Sequence, residues 1–181
     1  FRDILLRSTE KLKDVFQTDN DVFILTGSGT GAMEASIVNM LSPGDVVLSV
    51  SIGVFGDRLA QIAEAFGASV IRLSFTWGTA ADPEAIRNAL VENPLVKAVL
   101  VTHNETSTGV TNDMATISQV VKEADKLLIV DAISSLSSLP FYTDKWGCDV
   151  VMSGSQKGYM IPPGLAFVSV SPLAWEAFKE A

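Results

Sequence analysis

Short β-branched apolar runs alternate along this chain with longer segments of helical period, and few folds accommodate that alternation. A parallel strand pair needs a crossover to bring the chain back to the same sheet edge, and a helix is the usual crossover. The pattern therefore predicts an α/β domain: a mostly parallel seven-stranded sheet with helices on both faces. Strands are expected at roughly Val22 to Leu25, Val46 to Val50, Ser69 to Leu73, Ala98 to Thr102, Leu127 to Asp131, Val150 to Ser153 and Leu165 to Val170. Helices are expected over Arg2 to Phe16, Gly31 to Leu41, Phe55 to Phe66, Asp82 to Val91, Met114 to Glu123 and Pro172 to Lys179. The punctuation agrees with this cutting. Asp82-Pro83 and Asn112-Asp113 read as helix starts, Ser42-Pro43-Gly44-Asp45 as a turn, and Phe66-Gly67-Ala68 as a helix end.

Composition narrows the function classes. At 181 residues the chain suits one domain, and 48% apolar residues with a mean hydropathy of +0.32 are high for a soluble chain, which predicts a larger parent structure or an oligomer. The formal charge of -8 disfavours nucleic acid or an anionic membrane as partner. One cysteine, Cys148, rules out an internal disulfide, and one histidine, His103, leaves too few soft ligands for a zinc site, so no metal is expected. A reducing cytoplasm is the simplest compartment. No apolar run approaches a bilayer span. The opening Phe1-Arg2-Asp3 has neither an initiator Met nor a leader pattern, so the sequence reads as a fragment of a longer protein.

In sheets of this kind ligands sit beyond the carboxyl ends of the strands, and three of those loops are unusual. The first, Thr26-Gly27-Ser28-Gly29-Thr30-Gly31-Ala32, joins a strand to a helix. Free N–H groups at the positive end of a helix hold a phosphate without any Lys or Arg, which suits an acidic chain. A ligand-free tight turn is the plain alternative. A dinucleotide site is another, since Gly27, Gly29 and Ala32 satisfy the spacing, but the ribose-binding acid that should close the second strand is missing, because that strand runs into Ser51-Ile52-Gly53. The second loop begins with Asp131 at the end of an apolar strand, where a carboxylate is costly unless it faces a cation or several donors. Capping of the next turn is its plain alternative. The third is Ser153-Gly154-Ser155-Gln156-Lys157-Gly158, where a lysine between small residues can be held semi-buried as a nucleophilic amine, or can be an ordinary solvated lysine.

A phosphate anchor, an acid for a protonated ring nitrogen and an imine-forming amine are what pyridoxal 5'-phosphate requires. The stretch from Gly27 to Gly164 resembles the large domain of class V aminotransferases, fold type I, and within them the alanine:glyoxylate and serine:pyruvate or serine:glyoxylate group. Four motifs carry the resemblance in the family's order and spacing: Gly-Ser-Gly-Thr-Gly-Ala-Met-Glu, Thr-His-Asn-Glu-Thr-Ser-Thr-Gly-Val, Val-Asp-Ala-Ile-Ser-Ser and Ser-Gly-Ser-Gln-Lys-Gly. The resemblance implies that Lys157 holds the cofactor as a Schiff base and that Asp131 pairs with the pyridine nitrogen. It implies that Ser28, Gly29, Thr30 and Gln156 contact the phosphate. Thr106 falls where the family contacts the phenolic oxygen region, Ile133 packs on one ring face, and Phe55 takes the stacking position that is Trp in some relatives.

Ping-pong transamination between a small amino acid and a 2-oxo acid follows from the resemblance, with a homodimer as the expected full-length assembly. So do a small C-terminal domain and its carboxylate-binding arginine, both outside this chain. Cysteine desulfurases and related lyases generally carry His before the Schiff-base lysine and His as the stacking residue, whereas this sequence has Gln156 and Phe55. Aminoethylphosphonate transaminases share most of the motifs. A nucleotide-dependent oxidoreductase and a cofactor-free interaction subunit are the alternatives from other classes. His103 and Glu105 are tempting acid–base candidates but are given no chemical role, and Cys148 is read as a small buried hydrophobe.

Overall fold

The computed structural model describes residues 1–181. Its elements are α1 (Arg2–Phe16), β1 (Asp21–Thr26), α2 (Gly29–Val38), β2 (Val46–Ser51), α3 (Val54–Ala65), β3 (Ser69–Ser74), α4 (Pro83–Glu92), β4 (Val96–Thr102), β5 (Asn104–Glu105), β6 (Val110–Thr111), α5 (Met114–Glu123), β7 (Leu127–Asp131), β8 (Val150–Gly154), β9 (Leu165–Val170) and α6 (Pro172–Glu180). Seven strands form one sheet in the order β1-β9-β8-β7-β4-β2-β3. The β7–β8, β4–β7, β2–β4 and β2–β3 pairs are parallel, and β9 alone runs against its neighbours β1 and β8. The expected fold class is therefore the one observed.

Alternation along the central strands sends successive side chains to opposite faces. Leu127, Ile129, Ala98 and Leu100 pack with Met33 and Ile37 of α2 and Leu59 and Ala63 of α3. Leu128, Val130, Val99 and Val101 pack with Ile86 and Leu90 of α4, Ile117 and Val121 of α5, and Phe16 of α1. Because both faces are covered, the central strands read as unbroken apolar runs. Each large side chain buried this way contributes roughly 1.5–3 kcal/mol of transfer free energy. No helix is long and apolar enough to cross a membrane.

Two boundaries of α2 and one hairpin differ from the expectation for physical reasons. Helix α2 starts at Gly29 rather than Gly31, with extended Ser28 as its N-cap and the Ala32 N–H donating to the Ser28 carbonyl. It stops at Val38, where the Asn39 amide donates to the Ala35 carbonyl and occupies an acceptor at the helix end. The β5–β6 hairpin was not expected, because two-residue strands carry no periodic signal.

At the edge of the sheet where β7 and β8 begin, Asp149 is buried and binds three elements together. Its carboxylate accepts from the Leu128 N–H at 2.8 Å, from the Ser171 hydroxyl at 3.0 Å, and from the Lys122 ammonium. The opposite edge, where β1, β2, β4, β7 and β8 end, carries all three of the unusual loops.

Candidate active site

A cleft of about 190 Å³ opens at that carboxyl edge, and every residue predicted from the sequence lines it: Ser28, Gly29, Thr30, Phe55, Thr106, Asp131, Ile133, Gln156 and Lys157. The loops after β1, β2, β4, β7 and β8 deliver them, as the topology of a mostly parallel sheet requires.

The wall built by α2 is a close-packed cradle. Ser28 makes no side-chain capping bond, so the first amides of the helix precede its first internal hydrogen bond and are free to meet an anion. Gly29 is buried, and a Cβ there would lie 2.7 Å from Ile133 Cδ1 and 2.9 Å from its Cγ2. Only glycine lets α2 settle on Ile133, so this residue supports the cradle as well as lining the cleft. A Cβ built on Gly154 would stand 3.3 Å from Gln156 Oε1 and 3.7 Å from the Gly29 amide nitrogen, which puts the Gln156 side chain beside the start of α2.

Asp131 ends β7 in the middle of the sheet and is 4% exposed. Its Oδ1 accepts from the Ile133 N–H at 2.9 Å. Desolvation pushes its carboxyl up to about 7; the Ile133 amide opposes this, the Glu105 charge adds to it, and the charges of Lys157 and Arg58 oppose it. A cationic ring nitrogen placed here would draw the carboxylate back to its ionised form.

Lys157 lines the cleft but is solvent-exposed, and its ammonium has no carboxylate or carbonyl partner, so of the two positions the sequence left open, semi-buried or solvated, the chain shows the solvated one. The reason is local. After β8 the chain turns outward, with the Lys157 N–H reaching the Gly154 carbonyl at 3.4 Å and the Met160 N–H the Lys157 carbonyl at 3.0 Å. The loop's base is fixed nonetheless. The Ser155 hydroxyl donates to the Pro162 carbonyl, and Gly158 fits so closely against the Leu136–Ser138 turn that a Cβ would be 2.5 Å from the Leu136 carbonyl oxygen.

The loops after β2 and β4 are joined by Glu105, which is fully buried. Its Oε2 accepts from the Phe55 and Gly56 N–H groups at 3.0 and 3.1 Å, and its Oε1 from the Ser107 N–H and hydroxyl at 3.1 and 2.7 Å. It thus caps α3 from a distant segment. Sequence reasoning gave Glu105 no role, and nothing in its local pattern announces a cap for a helix some fifty residues earlier.

Four further residues line the cleft without having been anticipated: Met33, Arg58, Asn104 and Ser134. Arg58 lies one turn beyond Phe55 on α3, with its guanidinium 5.0 Å from the centre of the Phe55 ring and no acidic partner. Helical spacing from Phe55 was the available signal. Asn104 and Ser134 bind each other, the Asn104 amide donating to the Ser134 hydroxyl at 2.9 Å and that hydroxyl to the Asn104 carbonyl. His103 lies outside the cleft, as its reading as a structural residue anticipated. It packs edge-on against Phe141 and Trp146, and burial pushes its imidazole down to about 4. Cys148 is likewise buried, and desolvation raises its thiol.

The family model described as aminotransferase class-V matches residues 1–180. The chain is 51% identical over 185 residues to the soluble hydrogenase small subunit of Synechococcus sp., covering 100% of this chain and 48% of that protein. It is 41% identical over 173 residues to the serine–glyoxylate aminotransferase of Methylorubrum extorquens, covering 93% of this chain and 43% of that one. Among solved structures, alanine–glyoxylate aminotransferase from Nostoc sp. superposes with a TM-score of 0.92 at 37% identity, over 96% of this chain and 46% of that chain. The chain spans about half the length of the curated relatives it matches.

Proposed function

The chain belongs to the class V aminotransferase family, and from that premise we propose that it is the cofactor-binding large domain of a pyridoxal 5'-phosphate-dependent transaminase. The full protein moves an amino group from a small amino acid, alanine or serine, to a 2-oxo acid, glyoxylate or pyruvate, in a ping-pong cycle. It works as a homodimer in a reducing cytoplasm. One observation carries this reading: an uncapped helix start, a buried carboxyl and an unpartnered lysine converge on one cleft.

The residues present fit the group. Free amides at Gly29 and Thr30, with the Ser28 and Thr30 hydroxyls and the Gln156 amide, hold a phosphate without a cationic side chain. Asp131, whose proton affinity is raised by burial, would pair as a carboxylate with a protonated ring nitrogen. Phe55 and Ile133 offer apolar faces to a flat ring, and Thr106 a hydroxyl to its phenolic oxygen. When bound, the cofactor supplies the carbonyl that condenses with amines and the ring that accepts electrons from the substrate α-carbon. Lys157 would hold the cofactor through its amine and, once freed by substrate, would take the proton from the substrate α-carbon as general base and deliver it as general acid to the cofactor carbon that receives the amino group. Its position at the open mouth of the cleft suits an amine that must swing between those two tasks.

The relative named as a hydrogenase subunit points to another activity, which this chain's own residues do not favour. Its lone cysteine and lone histidine are buried outside the cleft, and no three His, Cys, Asp or Glu side chains converge as a ligand set. Gln156 and Phe55 favour transamination over desulfurase-like lyase chemistry.

The test uses the full-length protein. Mixed with pyridoxal 5'-phosphate it should gain a visible absorbance band, and borohydride should fix the cofactor mass on the peptide containing Lys157. Lys157→Ala should lose both. If the wild type shows no band and no fixed mass, the reading is wrong, and a melting temperature raised by NAD would point instead to an oxidoreductase.

A further inference from the structure

Glu105 does more in this structure than cap a helix. Its four donors come from two separate loops: Phe55 and Gly56 at the start of α3, and Ser107 beyond β5. The clamp is closed a second time by the Val54 N–H, which donates to the Ser107 hydroxyl at 3.1 Å. There is no slack in it. A Cβ on Gly53 would lie 2.6 Å from both Glu105 Cγ and Ser107 Oγ, so the backbone of the β2–α3 turn rests directly on the Glu105 and Ser107 side chains. Helix capping alone would need only the amides of α3. The bonds to Ser107 instead fix the two residues flanking Thr106, while the bond to the Phe55 amide fixes the origin of that side chain. Phe55 and Thr106 are two of the cleft's ring-facing groups, and neither has a side-chain hydrogen bond of its own to hold it.

We propose that Glu105 is a positioning residue that sets the tilt of the cofactor ring, by locking the Phe55 face and the Thr106 hydroxyl into one rigid unit. This rests on the cofactor reading above. The mechanism is separate from phosphate anchoring, which belongs to α2 and Gln156 on the other wall. It also demands an acceptor-only side chain. A glutamine would turn its NH₂ toward either the Ser107 or the Phe55 and Gly56 donors, leaving buried N–H groups without an acceptor.

The experiment compares full-length Glu105→Gln and Ser107→Ala with Asp149→Asn, a substitution in the clamp at the far edge of the sheet that lowers stability without touching the cleft. Three quantities are read: the dissociation constant for pyridoxal 5'-phosphate, the visible circular dichroism per unit absorbance at saturation, and the dissociation constant of inorganic phosphate obtained from its competition with the cofactor. Glu105→Gln should weaken the cofactor about tenfold, as loss of a charged hydrogen bond implies, and should change the circular dichroism of the bound ring. The phosphate value should stay at that of the wild type. Ser107→Ala, at an exposed position that folding tolerates, should shift the same two quantities in the same direction by a smaller factor, and it decides the matter if Glu105→Gln does not fold. Changes no larger than those of Asp149→Asn, or an equal loss of phosphate binding, would overturn the proposal. A wild type without any visible band overturns the cofactor reading and this inference together, whereas a wild-type band left unaltered by both cleft variants overturns this inference alone.

Discussion

Burial makes the protonation of Asp131 a property that unfolding experiments can read. Its folded pKa of about 7 lies above the ordinary value of 3.8, so the folded state binds the proton more tightly than the unfolded chain. The sign follows: cofactor-free stability is not reduced by this group below about pH 4, and it declines as pH rises toward 7, by something on the order of 4 kcal/mol in full. Asp131→Asn keeps an acceptor for the Ile133 amide and removes the charge. It should raise the melting temperature of the cofactor-free protein by several degrees at pH 8 and by little at pH 4, while weakening cofactor binding. Equal shifts at both pH values would refute the assignment. His103 acts in the opposite sense, since its depressed pKa of about 4 removes stability as pH falls below its ordinary 6.5. Between pH 4 and 6.5 the two groups offset each other, and Asp131→Asn should expose the acid-sensitive limb that His103 contributes.

At the scale of elements, two glycines decide where the chemistry sits. Gly29→Ala forces a methyl group against Ile133, and overpacking of this kind costs about 1–3 kcal/mol. Because the neighbour is a side chain, Ile133→Val should recover part of the loss, and a double-mutant cycle should return a coupling of about 0.5–1.5 kcal/mol by denaturant melts. Gly158→Ala has no such relief. The atom it meets is the Leu136 carbonyl oxygen, so the Lys157 loop itself must move, and borohydride trapping on Lys157 should fall more than global stability does. The sequence made the glycine-rich cradle, Asp131 and the Lys157 loop legible because each combines an apolar strand with small residues at its end. It could not reveal the Glu105 clamp or the Asn104–Ser134 pair, which exist only once β4 and its neighbours lie side by side. The burial of Lys157 stayed open between semi-buried and solvated, since a run of small residues says nothing about which way a turn leaves the sheet.

For the molecule as a whole, stability and chemistry occupy opposite edges of one sheet. Asp149 secures the edge away from the cleft, and replacing it with Asn leaves Lys122 without its buried partner. A loss of about 3 kcal/mol in thermal or denaturant unfolding is expected, with the cofactor dissociation constant unchanged. The apolar side chains left uncovered on α1 and after the Lys157 loop, among them Ile4, Leu6, Met160 and Ile161, match the sequence's excess of hydropathy over what a lone domain uses. Ile4→Lys with Ile161→Lys should therefore reduce self-association of this 181-residue chain in sedimentation. The doubly covered sheet explains why the overall architecture was readable, since its strands are continuous apolar runs. Strand order was not readable, because pairing between distant strands leaves no trace in local pattern. The reversed strand β9 has a consequence in time. Strand β1 has β9 as its one neighbour in the sheet, with Asp21 opposite Val170. During synthesis β1 is made before β9, so it finds its sheet neighbour only after β9 has left the ribosome. Until then the amphipathic α1 and an unpaired strand wait in the open, and an unpaired edge of this kind is prone to wrong pairing through that interval.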